Sequence, residues 1–240
     1  MFDDAHWAEI PAVADSVTRL ARFDLYGETS SLGTELKVLD LCCGFGRVSS
    51  EFARMGFTVT GVDITESYLQ TAREDASCEE LNIEYVRADA RDFVRPRFFD
   101  IVVNLYISFG YFSNQQDDLL LVRNAYESLK SGGAFIIETL GKEIAVRDFV
   151  EAEWFERAGL TILTQYEAFD SWTFLKNRWI LLLKDGKRIE KTFTQRLYSA
   201  SELKTLLLEA GFAEVEIYGD WDESPYNHRS AKLIAVGRKN

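Results

Sequence analysis

Apolar positions along this chain alternate between two patterns. Short unbroken runs suit strands buried on both faces, and longer stretches fall at helical spacing. Trp7, Ile10, Val13, Val17 and Leu20 share one helical stripe, so a helix is expected within residues 5–25. Lys37–Leu41 reads as a buried strand, followed by a Gly44-x-Gly46 turn and a helix. A second strand, Thr58–Val62, ends in Asp63, and a helix is expected over 66–78. A third strand, Ile83–Arg87, closes at Ala88-Asp89-Ala90-Arg91-Asp92. The fourth, Phe98–Asn104, runs on as Leu105-Tyr106-Ile107-Ser108-Phe109-Gly110-Tyr111. A helix over about 117–129 should stop at a glycine C-cap in Ser131-Gly132-Gly133, ahead of a fifth strand, Ala134–Thr139. Strands alternating with helices predict a parallel sheet covered on both faces.

Residues 150–198 change character. Leu160–Phe169, Trp172–Leu183 and Arg188–Tyr198 are rich in aromatic and β-branched residues, and Lys184-Asp185-Gly186-Lys187 is a hairpin turn signal. A three-stranded antiparallel insertion is expected there. Ser199 and Glu202 stand at capping-box spacing for a further helix that ends at Gly211-Phe212. Two last strands follow, over about 212–218 and 231–237.

Strand, glycine turn, helix, strand and acid form the arrangement that holds a nucleotide-type cofactor at the edge of a parallel sheet. Glycines admit the ligand close to the backbone, and the helix start offers N–H groups and a positive dipole end. A carboxylate at the tip of the second strand can accept both hydroxyls of a ribose. A dinucleotide fingerprint would need Gly or Ala three residues after Gly46, where Ser49 stands.

The stretch Val38-Leu39-Asp40-Leu41-Cys42-Cys43-Gly44-Phe45-Gly46 resembles the first motif of class I S-adenosylmethionine (SAM)-dependent methyltransferases, with Cys42 in place of the first glycine. The "S-F-G-Y-F" segment, the β-rich insertion and the "Y-S-A-S-E-L…A-G-F" stretch are similar to bacterial small-molecule methyltransferases, of the amino-sugar and glycine N-methyltransferase type. The resemblance implies an α/β, Rossmann-like, seven-stranded, mostly parallel sheet with an antiparallel last strand, plus the antiparallel β insertion. Residues 1–149 and 199–240 would form the SAM-binding core. Residues 150–198 would cap the substrate or make a homodimer interface.

It also implies roles. Gly44 and Gly46 suit the methionine carboxylate, Asp63 the ribose, Asp89 the adenine amine and the Ala90 N–H a ring nitrogen. Cys42, Ile64 and Leu105 adjoin those positions, and Asp40 is expected to orient the glycine loop. Asp89 taken alone also reads as a loop Asx-turn. Substrate residues are expected among Tyr106, Ser108, Tyr111, Glu138 and Thr139 at the fourth and fifth strand tips, and in the loop holding Tyr226 and His228. Tyr106 and His228 are the candidate catalytic residues, although a single loop histidine such as His228 is more often a surface residue. Trp7 is a candidate lid residue or plain packing. The product would be S-adenosylhomocysteine.

A chain of 240 residues with 47% hydrophobic and 28% charged residues can bury one sizeable core. Net charge is −12 and the pI is near 4.8, which opposes binding to a phosphate backbone. Arg87, Arg91, Arg95 and Arg97 are interrupted by Asp89 and Asp92 and read as a solvated loop. Neither the N/D-P-P-Y/F tetrad nor the Pro-Cys nucleophile of DNA methyltransferases is present. Three cysteines, two adjacent, give no disulfide framework and no zinc spacing. The acidic N-terminus lacks signal-peptide regions, so the cytoplasm is the expected compartment, with no membrane partner. Two other readings stand beside methyl transfer to N or O of a small molecule. One is a dinucleotide-dependent oxidoreductase, which lacks an evident hydride-transfer pair. The other is a non-catalytic SAM-binding or assembly protein.

Overall fold

A computed structural model describes residues 8–22, 36–157 and 159–240. The expected lid position, Trp7, lies outside them. Helix α1 covers Ile10–Leu20 and carries the stripe Ile10, Val13, Val17 and Leu20 on its buried side. Strand β1, Lys37–Leu41, leads through the glycine turn to helix α2, Arg47–Arg54. Then come β2 (Thr58–Asp63), α3 (Glu66–Cys78), β3 (Ile83–Arg87), β4 (Phe99–Asn104), α4 (Gln115–Ser128) and β5 (Leu129–Thr139).

The main sheet has seven strands in the order β10-β11-β5-β4-β1-β2-β3. Strands β1 to β5 are mutually parallel, whereas β11 (Leu233–Arg238) runs antiparallel to both β5 and β10 (Glu214–Tyr218). The chain builds outward from β1 through β2 to β3, then returns to place β4 on the other side of β1. That reversal leaves a crevice above the carboxyl ends of β1 and β4, where ligands bind in open α/β sheets.

Each face of the sheet has its own apolar core. One packs α1 and α2 on the sheet, with Val17, Phe52, Ile101, Ile136 and Val236 buried. The other packs α4 and helix α6 (Ala200–Ala210), with Leu121, Phe135, Leu207 and Phe212. The capping box at Ser199 and Glu202 is formed, and Gly211 ends α6 at φ 113°.

The C-terminus of α4 differs from the expected glycine C-cap. Leu129 is already extended and pairs with Phe99, and the register shift before Ala134 leaves 130–133 bulged out of the ladder. Lys239 supplies what the cap would have: its ammonium donates to the carbonyls of Tyr126 (2.7 Å) and Leu129 (2.9 Å).

Between β5 and α6 lie a short helix α5 (Lys142–Arg147) and a second, antiparallel sheet. It has four strands, not three: β6 (Ala152–Arg157), β7 (Leu160–Phe169), β8 (Phe174–Leu182) and β9 (Arg188–Arg196). The unforeseen β6, Ala-Glu-Trp-Phe-Glu-Arg, is a mostly exposed edge strand without an apolar run, so its sequence carries no strand signal. The end of β9 ties this sheet to the core. The Arg196 N–H donates to the Gly110 carbonyl (2.6 Å), Gln195 Nε2 to the Phe109 carbonyl (3.1 Å), and the Tyr198 hydroxyl to the buried Asp118 (2.7 Å). Among the described residues, no helix is long and apolar enough to cross a membrane.

Candidate active site

The turn after β1 is built on backbone conformations that L-residues resist. Cys42, at the position where the motif expects glycine, holds φ at +61°. Its thiol is pushed up to about 12 by burial, reinforced by the charge of Asp63, so it is a packed thiol rather than a nucleophile. Gly44 and Gly46 follow at φ +56° and +70°, but for different reasons. A Cβ at Gly44 would meet no atom within 4 Å, so its open side faces the crevice. A Cβ at Gly46 would collide with the Tyr85 ring and sit 3.0 Å from Ala72. Only Gly44 leaves room for a ligand; Gly46 is required by packing.

Two acids fix the turn. Asp63 accepts from the Gly44 N–H (3.0 Å) through one oxygen and from the Thr65 N–H (2.8 Å) through the other. It thereby joins the tips of β1 and β2 while still lining the crevice. Asp40 is 3% exposed and accepts from the Ser49 hydroxyl at 2.6 Å. Burial, with a further contribution from the Asp63 charge, raises its carboxyl to about 7 against the lowering effect of Ser49. Asp89, at the tip of β3, accepts from the Arg91 backbone N–H (2.9 Å) and from its guanidinium (2.7 and 3.0 Å). Arg91 also reaches Asp117. The Asx-turn and a wall position in the crevice therefore coexist at Asp89.

Beyond β4 the backbone turns through two consecutive left-handed residues, Tyr106 (φ +55°) and Ile107 (φ +58°). Glu138, at the end of β5, holds that corner. Its carboxylate accepts from the Tyr106 N–H (2.5 Å), and Lys232 lies 3.7 Å away. Glu138 is buried, which raises its carboxyl, and it lies behind the corner rather than in the crevice. The Tyr106 ring faces the Arg47 guanidinium at 5.0 Å. Its hydroxyl is shifted upward by burial and by Glu9, which disqualifies it as a base at neutral pH. Strain of this kind persists where the surroundings over-determine it, as at ligand sites.

These segments enclose a cleft of about 840 Å³. It brings together Asp40, Cys42, Gly44, Asp63, Ile64, Asp89, Ala90, Leu105, Tyr106, Ser108 and Tyr111 from the residues expected by sequence. Glu138 and Thr139 are buried beside it. Tyr226 and His228 are not among its walls. The Tyr226 hydroxyl donates to Glu143 (2.9 Å), and the exposed His228 is engaged through its carbonyl by Arg147 (2.9 Å). A second cavity of about 350 Å³ adjoins the first, between β4's tip, α5 and the second sheet. Ile107, Tyr111 and Phe193 line both.

Comparison with known proteins decides the class. Residues 38–133 match the family model described as a methyltransferase domain. That segment is a methyltransferase domain, and the solved structures similar to the chain include SAM-dependent methyltransferases. The chain is 32% identical to a ubiquinone biosynthesis O-methyltransferase of Caulobacter sp. (strain K31) over 127 residues, 52% of this chain and 49% of that one. Its fold is similar to that of the CcbJ methyltransferase from Streptomyces caelestis (TM-score 0.81, 20% identity, 96% of this chain and 89% of that one). It is likewise similar to a SAM-bound amino pentose methyltransferase from Micromonospora echinaspora (TM-score 0.71, 19% identity, 97% and 92%).

The charges of the cleft fit that cofactor. Asp40, Asp63 and Asp89 line it, and Arg47 is the single cation among its described walls. SAM carries one carboxylate against a sulfonium and an ammonium, a balance these groups complement. A dinucleotide would bring two phosphates to three carboxylates. Several wall residues were not expected from sequence, among them Phe45, Arg47, Tyr68 and Phe193. Phe45 and Arg47 sit inside the motif itself and were the findable ones. Tyr68 meets Phe45 at a tilt (4.4 Å between centroids, 40° between planes) from the helix after Asp63, and Phe193 arrives from β9 with no local signal.

Proposed function

We propose that this methyltransferase transfers the methyl group of SAM to a nitrogen or oxygen of a small-molecule acceptor held in the second cavity. The shared wall of Ile107, Tyr111 and Phe193 carries this reading, because a partly open hollow of ligand size then adjoins the cofactor cleft. The sulfonium, when bound, supplies a methyl group already activated for displacement. The chain's own task is placement and desolvation. Gly44 and Arg47 would hold the methionine carboxylate, Asp63 the ribose hydroxyls and Asp89 the adenine amine. Glu138 acts through the strained corner, fixing Tyr106 and Ile107 between the two spaces. The second sheet serves as the acceptor's cap, shutting out water.

The test is release of S-adenosylhomocysteine from SAM across a panel of amines, phenols and alcohols. At least one acceptor should raise the rate tenfold or more above the acceptor-free rate. Val150→Trp, at a half-exposed position on the second cavity's wall, should cut that rate tenfold while SAM affinity stays within twofold. An undiminished rate in Val150→Trp would place the acceptor elsewhere.

A further inference from the structure

Resting on that reading of the second cavity, we propose that the acceptor is a primary or secondary amine on an apolar, ring-sized body, not a hydroxyl compound or an anion. Charge argues first. No Lys, Arg or His is among the described residues lining the cavity. Of its two carboxylates, Asp148 is matched by Arg147 (2.6 and 2.7 Å). Glu153 meets only a neutral partner in the hydrogen bonds it makes, the Tyr166 hydroxyl at 3.1 Å. An anionic acceptor would meet carboxylates there and no cation, whereas a cation would find Glu153 at the exposed rim.

The walls argue next. Tyr111, Phe193 and Trp179 form a continuous aromatic run, with ring centroids 5.9 Å and 6.3 Å apart, that starts at the wall shared with the cofactor cleft. Such faces attract an ammonium group and an apolar body alike. The buried amides offer little to a polyhydroxylated ligand. Asn177 spends a donor on the Leu175 carbonyl (3.1 Å), and Gln195 on that of Phe109 (3.1 Å).

The junction supplies the third argument. The three residues common to both spaces are Ile107, Tyr111 and Phe193, and Tyr111 has its hydroxyl pushed up by burial. A hydroxyl acceptor needs a base to remove its proton, and none stands there. An ammonium must shed a proton too, but gives it up far more readily than an alcohol does. The entering ammonium loses one proton to solvent. The nitrogen lone pair then forms the N–C bond as the C–S bond breaks, the C–S pair staying on sulfur. The products are a methylated ammonium and neutral S-adenosylhomocysteine.

Calorimetry separates the classes without turnover. The full chain, saturated with S-adenosylhomocysteine, is titrated at pH 7 with three probes of one shape: 2-phenylethylamine, 2-phenylethanol and phenylacetate. The amine should bind at least tenfold more tightly than the alcohol, and phenylacetate should give no binding heat. Glu153→Gln, at an exposed position, should bring amine and alcohol to within threefold of each other. Equal or tighter binding of the alcohol or the acid would overturn the inference, as would no binding of any probe to the loaded protein. If S-adenosylhomocysteine itself fails to bind, the proposed function falls and the inference with it.

Discussion

Gly46→Ala should unfold this protein at a temperature about 10 °C or more below the parent, whereas Gly44→Ala should shift the midpoint by only about 4 °C or less. The two positions share a positive φ but differ in surroundings. At Gly46 the new methyl group meets the Tyr85 ring of β3 and Ala72 of α3, both buried, so overpacking of about 1–3 kcal/mol adds to about 1–2 kcal/mol for the left-handed backbone. At Gly44 only the backbone contribution remains, partly offset by the reduced freedom of the unfolded chain. Ligand binding should reverse the ranking. A methyl group at Gly44 occupies the open side where the cofactor must approach, so SAM affinity should fall at least tenfold in a protein that is otherwise well folded. Replacing Tyr85 by Val in the Gly46→Ala background should recover part of the lost stability, because the two changes share one contact. Thermal melts and SAM titrations on the parent and the three variants check this; equal stability losses at both glycines would refute it.

Asp40→Asn should stabilise the ligand-free protein at pH 8 by something on the order of 2–4 kcal/mol, and by nothing at pH 4. The parent carboxyl titrates near 7 in the folded chain and near 3.8 when unfolded. Between those values the folded state retains a proton that the unfolded state has released. Stability from this group is therefore complete below about pH 4, declines as pH rises, and reaches its minimum above 7. An asparagine removes the titration while its amide oxygen still accepts from Ser49. Denaturant melts of both proteins from pH 4 to 8 give the comparison. Parallel pH curves would show that Asp40 is not the buried, destabilised acid described here. That a chain keeps such an acid beside Asp63 is intelligible if the pair faces a cationic ligand, since a site pre-formed for binding is commonly strained without it.

Much of this architecture is legible where local chemistry dictates it. The span of α3 at Glu66–Cys78 follows from its place after Asp63, and the capping box at Ser199 from the Ser-x-x-Glu spacing. The run from Val38 to Asp63 marks the cofactor cleft because glycine geometry, strand burial and a terminal acid all fall within one short segment. Legibility stops where tertiary contact takes over. Strand β6 is polar and exists by pairing with β7. The glycines after α4 belong to a bulge, because Lys239, far along the chain, satisfies the helix end. His228 stands in a loop that the fold turns away from the cavities. The second cavity draws on three distant segments, 107–111, 140–153 and 166–195, and its junction residue Phe193 looks like any other strand aromatic.

The most direct measurement is calorimetric titration of the purified chain with SAM and, in parallel, with NAD(H), using Asp63→Ala as the control. The account predicts micromolar SAM binding, a loss of tenfold or more in Asp63→Ala (about 1.4 kcal/mol or greater), and no NAD(H) binding in the same concentration range. Preference for NAD(H), or SAM affinity indifferent to Asp63, would contradict it.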